Sequence, residues 1–103
     1  MRLAFAPLAE QDLEAIADYI AADNPVRALS FVRELRTQCQ RITLNPPGYR
    51  LRPELGDRIR SCAHGHHVIF FESNSDVVVI VRILRGARDI PAVFGADPES
   101  PLR

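Results

Sequence analysis

Residues 58–86 read RIRSCAHGHHVIFFESNSDVVVIVRILRG, and this stretch decides the fold. It divides into three largely apolar runs, 58–63, 66–72 and 77–85. His64-Gly65 separates the first two, and Ser73-Asn74-Ser75-Asp76 the second two; both links carry turn chemistry. Val, Ile and Phe fill the runs, as they fill strands. Links this short join antiparallel neighbours, so the runs predict a meander. Gly86 ends the last strand.

Strand register then assigns the faces. With His64-Gly65 as the turn, Cys62 lies opposite His67, Arg60 opposite Ile69 and Arg58 opposite Phe71. With 73–76 as the next turn, Phe71 lies opposite Val78, Ile69 opposite Ile80 and His67 opposite Arg82. Side chains alternate between faces. Ile59, Ser61, Ala63, Val68, Phe70, Val77, Val79, Val81 and Ile83 share one face, the expected core. The other collects Arg58, Arg60, Cys62, His67 and Arg82 beside Ile69, Phe71, Val78 and Ile80. Arg60, His67 and Arg82 fall on adjacent strands with no carboxylate among them, a cluster that favours an anionic partner. An apolar patch beside it on an open face marks a binding surface. The competing expectation is that the C-terminal segment folds back over this face, with Asp89 pairing one Arg. A one-residue slip would undo the whole assignment.

Toward the N-terminus, residues 2–6 predict a short strand, and Pro7 suits the first turn of a helix. Leu13, Ile16, Ala17 and Ile20 recur at helical spacing over 7–22, with Glu10, Asp12, Glu14 and Asp18 off the stripe. Ala6 is a poor N-cap, at a cost of about 1 kcal/mol. Asp23-Asn24-Pro25 stops one helix and starts the next, Asn24 as cap and Pro25 in the first position. Ala28, Val32, Leu35, Cys39 and Ile42 form the apolar face of a helix over 25–44, and Arg27, Arg33, Arg36 and Arg41 lie off it. Two helices so closely linked form an antiparallel hairpin. Asn45-Pro46-Pro47-Gly48 ends it, and residues 46–56 read as a loop. Residues 89–94 suit a helical turn, and 95–103 a loose tail. The prediction is one α+β domain over residues 1–94, ordered β-α-α-β-β-β, with the hairpin on one face of a small, mostly antiparallel sheet.

Composition sets the outer bounds. A chain of 103 residues with 47% hydrophobic and 25% charged residues makes one globular domain and excludes a disordered one. No apolar run reaches membrane-spanning length. The N-terminus lacks the pattern of a signal peptide, and two cysteines do not make a disulfide framework; a cytoplasmic protein with free thiols is expected. The zero net charge hides segregation. Residues 1–24 carry one Arg against five acids, net −4, and residues 25–52 carry six Arg against one Glu, net +5. All thirteen basic residues are Arg, the residue suited to bidentate carboxylate or phosphate contacts.

Other signals are weaker. His64 sits in a turn while His66 and His67 point to opposite faces, so the three do not converge on a metal. No metal and no cofactor is expected. Cys39 lies on a helix core stripe, and Cys62, beside Arg60 and His67, would have its thiol pKa lowered. Nothing accompanies Cys62 as a base or oxyanion site. Tyr49, in the loop, is placed where it could bring a hydroxyl to the Arg face.

DLEAIADYIAADNP (12–25), NPPGYRLRPELGDRIRS (45–61), GHHVIFF (65–71) and VVVIVRILRGARDIPAVF (77–94) together resemble the RelE/ParE toxin superfamily, and within it the ParE branch. The resemblance implies the toxin of a type II toxin–antitoxin system, of the kind linked to plasmid stabilisation. Such a toxin is held in a hetero-oligomer by a ParD-like antitoxin encoded beside it. It implies action on DNA gyrase, trapping the cleaved-DNA intermediate, with no covalent chemistry by the toxin itself. The partner-binding residues so implied are Arg58, Arg60, His67, Ile69, Phe71, Ile80, Arg82, Arg85, Arg88 and Phe94. The alternative is a RelE-like, ribosome-dependent mRNA endonuclease. Arg58, Arg60, His67 and Arg88 would then be catalytic, with His67 as base. The position of the RelE catalytic Tyr holds Phe94, which has no hydroxyl. The expected antitoxin segment is acidic and apolar, matching the basic second helix and the mixed sheet face.

Overall fold

The computed structural model describes residues 1–86 together with Ile90 and Phe94. Strand β1, Arg2–Phe5, leads directly into helix α1, Pro7–Ala21. Ala6 gives α1 no side-chain cap; Pro7 starts it instead, because a first-turn residue needs no amide donor. Helix α2, Pro25–Ile42, is capped as its sequence predicts: Asn24 Oδ1 accepts the Arg27 N–H at 3.0 Å. The two form an antiparallel hairpin with Arg36 3.5 Å from Glu10. A 3-10 turn, Pro46–Gly48, and a two-residue strand β2, Arg50–Leu51, occupy part of the segment that reads as loop. Strands β3 (Arg60–His64), β4 (His67–Ser73) and β5 (Val77–Arg85) complete a five-stranded sheet ordered β1-β5-β4-β3-β2. Among the described strands β1 alone runs parallel to its neighbour, β5.

The meander is as predicted, but its register is not. The first turn is Gly65-His66, since His64 pairs with His67 and Arg60 with Phe71. Gly65 takes φ 59°, the left-handed region that primed hairpin turns require and that glycine enters at least cost. Between β4 and β5 the ladder slips: Phe70 pairs with Arg82, but Phe71 pairs with Ile80, leaving Val81 as a bulge. The bulge puts Ile83 on the same side as Ile80 and turns Arg82 to the side of Phe70.

The larger correction concerns the faces. The helices pack on the face carrying Cys62, Ile69, Phe71, Val78 and Ile80, expected to be open, which the bulge extends with Ile83. Leu13, Leu35, Cys39 and Ile42 close over it, and each large side chain buried there contributes about 1.5–3 kcal/mol. The face expected to be the core is the outer one. It carries a smaller cluster, Phe70 and Leu84 covered by Leu55, Ile59 and Ile90, with Phe94 edge-on to Phe70 at 5.1 Å between ring centres. The sheet is therefore apolar on both sides.

Candidate functional site

The predicted cluster of Arg60, His67 and Arg82 does not form. Arg60 shares a face with Phe71, and its Nη1 donates to the carbonyls of Tyr49 at 2.7 Å and Pro47 at 3.4 Å, pinning the turn before β2. Arg82 lies across from Phe70 and is taken up by a carboxylate. His67 sits at the margin of the helix-covered face, its ring 5.3 Å from that of Phe31 on α2. Ile69, Phe71 and Ile80 have no exposed surface and are core, not a contact patch. Arg58 is exposed on the outer side, next to Glu72, and Arg85 is exposed at the end of β5. Phe94 packs on Phe70. Arg88, Asp89 and the tail over 95–103 lie outside the described residues. The bulge at Val81 turns Arg82 to the other face, and the exchange of inner and outer faces puts Arg60 and His67 on the helix-covered side instead of an open one.

Cys62 also departs from expectation. It is buried, so its thiol pKa is raised, with only the Gln38 amide at 3.3 Å acting the other way. Burial pushes the Cys39 thiol up to about 12. Tyr49 turns inward, edge-on to Phe71, and not toward a basic face. Among the described residues, no group of His, Cys, Asp or Glu is placed to hold a metal ion, and no helix is long and apolar enough to cross a membrane.

What the structure does assemble lies along α1 and β5. Strand β1 pairs with Val77–Ile80, and among the described residues the rest of β5 has no strand neighbour on that side. Here α1 takes over. Asp12 accepts two hydrogen bonds from Arg82, Nε to Oδ2 at 2.8 Å and Nη2 to Oδ1 at 2.9 Å, and a third from the Ile83 N–H at 2.9 Å. One carboxylate thus satisfies a guanidinium and an amide that a longer β1 would have paired. The Arg82 pKa is raised by this bond.

Beyond that bridge a groove of about 250 Å³ opens between α1 and the end of β5. Ile16, Tyr19 and Ile20 form one wall; Ile83, Arg85 and His67 form the other. A second depression, lined by Leu8, Val81 and Phe94, lies on the far side of Arg82. Leu8 and Tyr19 are 52% and 73% exposed, large apolar side chains on the same side of α1 as Asp12 and Ala15. Neither the β5 margin nor this helix stripe was legible as a site, because the signal is the shortness of β1 relative to β5.

The groove has a charge as well as a shape. His67 and Arg85 pair across β4 and β5. Burial holds the His67 pKa below its ordinary value, with Arg85, His66 and His64 adding to the effect. Its Nδ1 is buried with no hydrogen-bond partner. At the hairpin end, Glu34 accepts from Arg27 at 2.7 Å and stands 3.5 Å from His64, and Arg27 lies over the Phe31 ring.

Comparison with known proteins places these features in context. Residues 3–90 match the family model described as the ParE toxin of the type II toxin–antitoxin system parDE. The fold is similar to that of a chain in a solved structure described as the chromosomal ParDE TA system from P. aeruginosa. The TM-score is 0.71 at 25% identity, covering 82% of this chain and 95% of that one. Among curated proteins none matches the sequence.

Proposed function

We propose that this chain, which belongs to the ParE toxin family of type II toxin–antitoxin systems, arrests growth by binding DNA gyrase and is silenced by a ParD-like antitoxin seated in the groove between α1 and β5. The observation that supports the antitoxin site is the margin of β5 past Ile80, which among the described residues has no strand neighbour, beside an exposed apolar stripe of α1. An extended segment can continue a sheet at such a margin, and an amphipathic helix can lie against such a stripe. The site replaces the helix-covered sheet face as the partner surface. It also places the partner on the helix carrying Glu10, Asp12, Glu14 and Asp18, not chiefly on basic α2. The complex would reside in the cytoplasm with its target.

The scatter of the nuclease candidates supports gyrase over the ribosome. A base and stabilising cations must meet within hydrogen-bond reach of one phosphate. Here Arg58 points to the outer side, Arg60 is engaged by two carbonyls, and His67 stands at the groove beside α2. The Phe94 ring is packed on Phe70 where a hydroxyl would be needed.

The test runs the purified toxin in two assays. Loss of gyrase supercoiling with accumulation of cleaved DNA, and no mRNA cutting in a translation extract, is the expected result. Site-specific mRNA cuts with gyrase unaffected would overturn it. Hydrogen exchange of the toxin with and without antitoxin should show protection at residues 12–20 and 81–85.

A further inference from the structure

We propose that the α1/β5 groove selects its partner by a carboxylate, which seats between Arg85 and His67 while apolar neighbours fill the space over Ile16 and Ile83. The inference rests on the antitoxin reading above and adds the chemistry that this site recognises.

Four observations carry it. First, among the described residues the groove presents positive charge without a free counter-charge. Asp12 is the carboxylate on its wall, and both of its oxygens are engaged by Arg82 and the Ile83 amide. Among the described residues, no carboxylate lies within ion-pair distance of Arg85. Second, Arg85 and His67 are cross-strand partners, which sets their Cβ atoms about 5 Å apart and lets both reach one anionic group. Third, His67 lines the groove and its Nδ1 has no hydrogen-bond partner, so no hydrogen bond at that nitrogen ties the ring to the fold. Fourth, the walls are Ile16, Ile20, Ile83 and Leu84, so an acidic residue flanked by apolar ones fits better than a run of acids.

A consequence follows for protons. In the free toxin, the groups facing His67 are Arg85 from β5, His64 from β3 and His66 from its own turn, all opposed to a second positive charge. From α2 it meets the Phe31 ring, behind which Arg27 and Glu34 neutralise each other. From α1, Asp12, already engaged by Arg82, and Tyr19 line the same groove. A carboxylate entering this site reverses the balance and favours imidazolium. The complex therefore takes up a proton as it forms, and it tightens as pH falls through neutrality. For one proton the affinity gains at most about tenfold per pH unit.

The experiment is calorimetry of the full toxin with the antitoxin encoded beside it, at pH 7 in two buffers of different ionisation enthalpy. The expected result is uptake of a fraction of a proton approaching one. Arg85→Ala should weaken binding tenfold or more, and His67→Gln should abolish the uptake. Both positions lie at the groove and not in the core, and thermal melting of each free variant checks that it folds. Tight binding with no proton uptake and no effect of Arg85→Ala would overturn the carboxylate site but leave the groove reading standing. Binding without hydrogen-exchange protection of α1 and β5 would overturn both, as would a toxin dimer that occupies the groove in the absence of antitoxin.

Discussion

Asp12 on α1 and Arg82 on β5, 70 residues apart, form a two-bond ion pair whose carboxylate also holds the Ile83 amide at 2.9 Å. Both side chains are mostly buried, at 13% and 20% exposed. A pair of this kind differs from a surface ion pair, because removal of one member strands the other with little water to replace it.

Asp12→Ala is therefore expected to destabilise the fold by about 2–3 kcal/mol, measured by urea denaturation. Arg82→Ala should cost less, since the carboxylate keeps the Ile83 N–H. The double variant should fall well short of the summed effects, a coupling that a mutant cycle reads directly.

The pH dependence of the free toxin has a definite sign. The folded-state pKa of His67 lies below its unfolded value of 6.5. The unfolded chain therefore binds a proton that the folded chain resists. This contribution to stability is fully present above about pH 6.5 and is lost as pH falls toward the folded-state pKa. Melting temperature measured between pH 7.5 and 5.5 should fall more steeply for the wild type than for His67→Gln. Equal slopes would show that His67 is not the group responsible.

Gly65→Ala tests the hairpin turn. No atom lies within 4 Å of the added Cβ, so the cost comes from φ 59° alone, about 1 kcal/mol. Chemical denaturation of the two proteins in parallel reads the difference.

The two thiols should be slow to react. Cys39 and Cys62 are buried with raised pKa values, so the thiolate is scarce and inaccessible. An aromatic disulfide reagent at pH 8 should label neither in the native protein within minutes and both in urea. Prompt native labelling of Cys62 would show that the β3 edge opens under Gln38.

The helices were readable because their apolar residues keep a 3.6-residue period and because Asn24-Pro25 is an unambiguous restart. The three meander strands were readable from their composition. Their faces were not, and the reason is physical. Alternation distinguishes inside from outside only when one face is wet. In this sheet the helices cover one side, while Leu55, Ile59, Ile90 and Phe94 cover much of the other, so both faces read as apolar. The turn was ambiguous because Gly65 has a His on either side and forms a plausible two-residue link with each. The bulge at Val81 sits inside VVVIVRIL, with no Gly or Pro to mark it, and it alone sends Arg82 away from His67. The Asp12–Arg82 bridge joins two residues that no local pattern connects.

The placement of β1 beside β5 has a consequence for biosynthesis. A ribosome making this chain releases β1 well before its neighbour, whose paired segment is Val77–Ile80. Until then the middle of the sheet lacks a flank, and α1 has no Arg82 to clasp. Translation products that stop short of Val77 therefore leave β1 without its partner strand, and an antitoxin that grips β5 finds its site only once that strand has emerged.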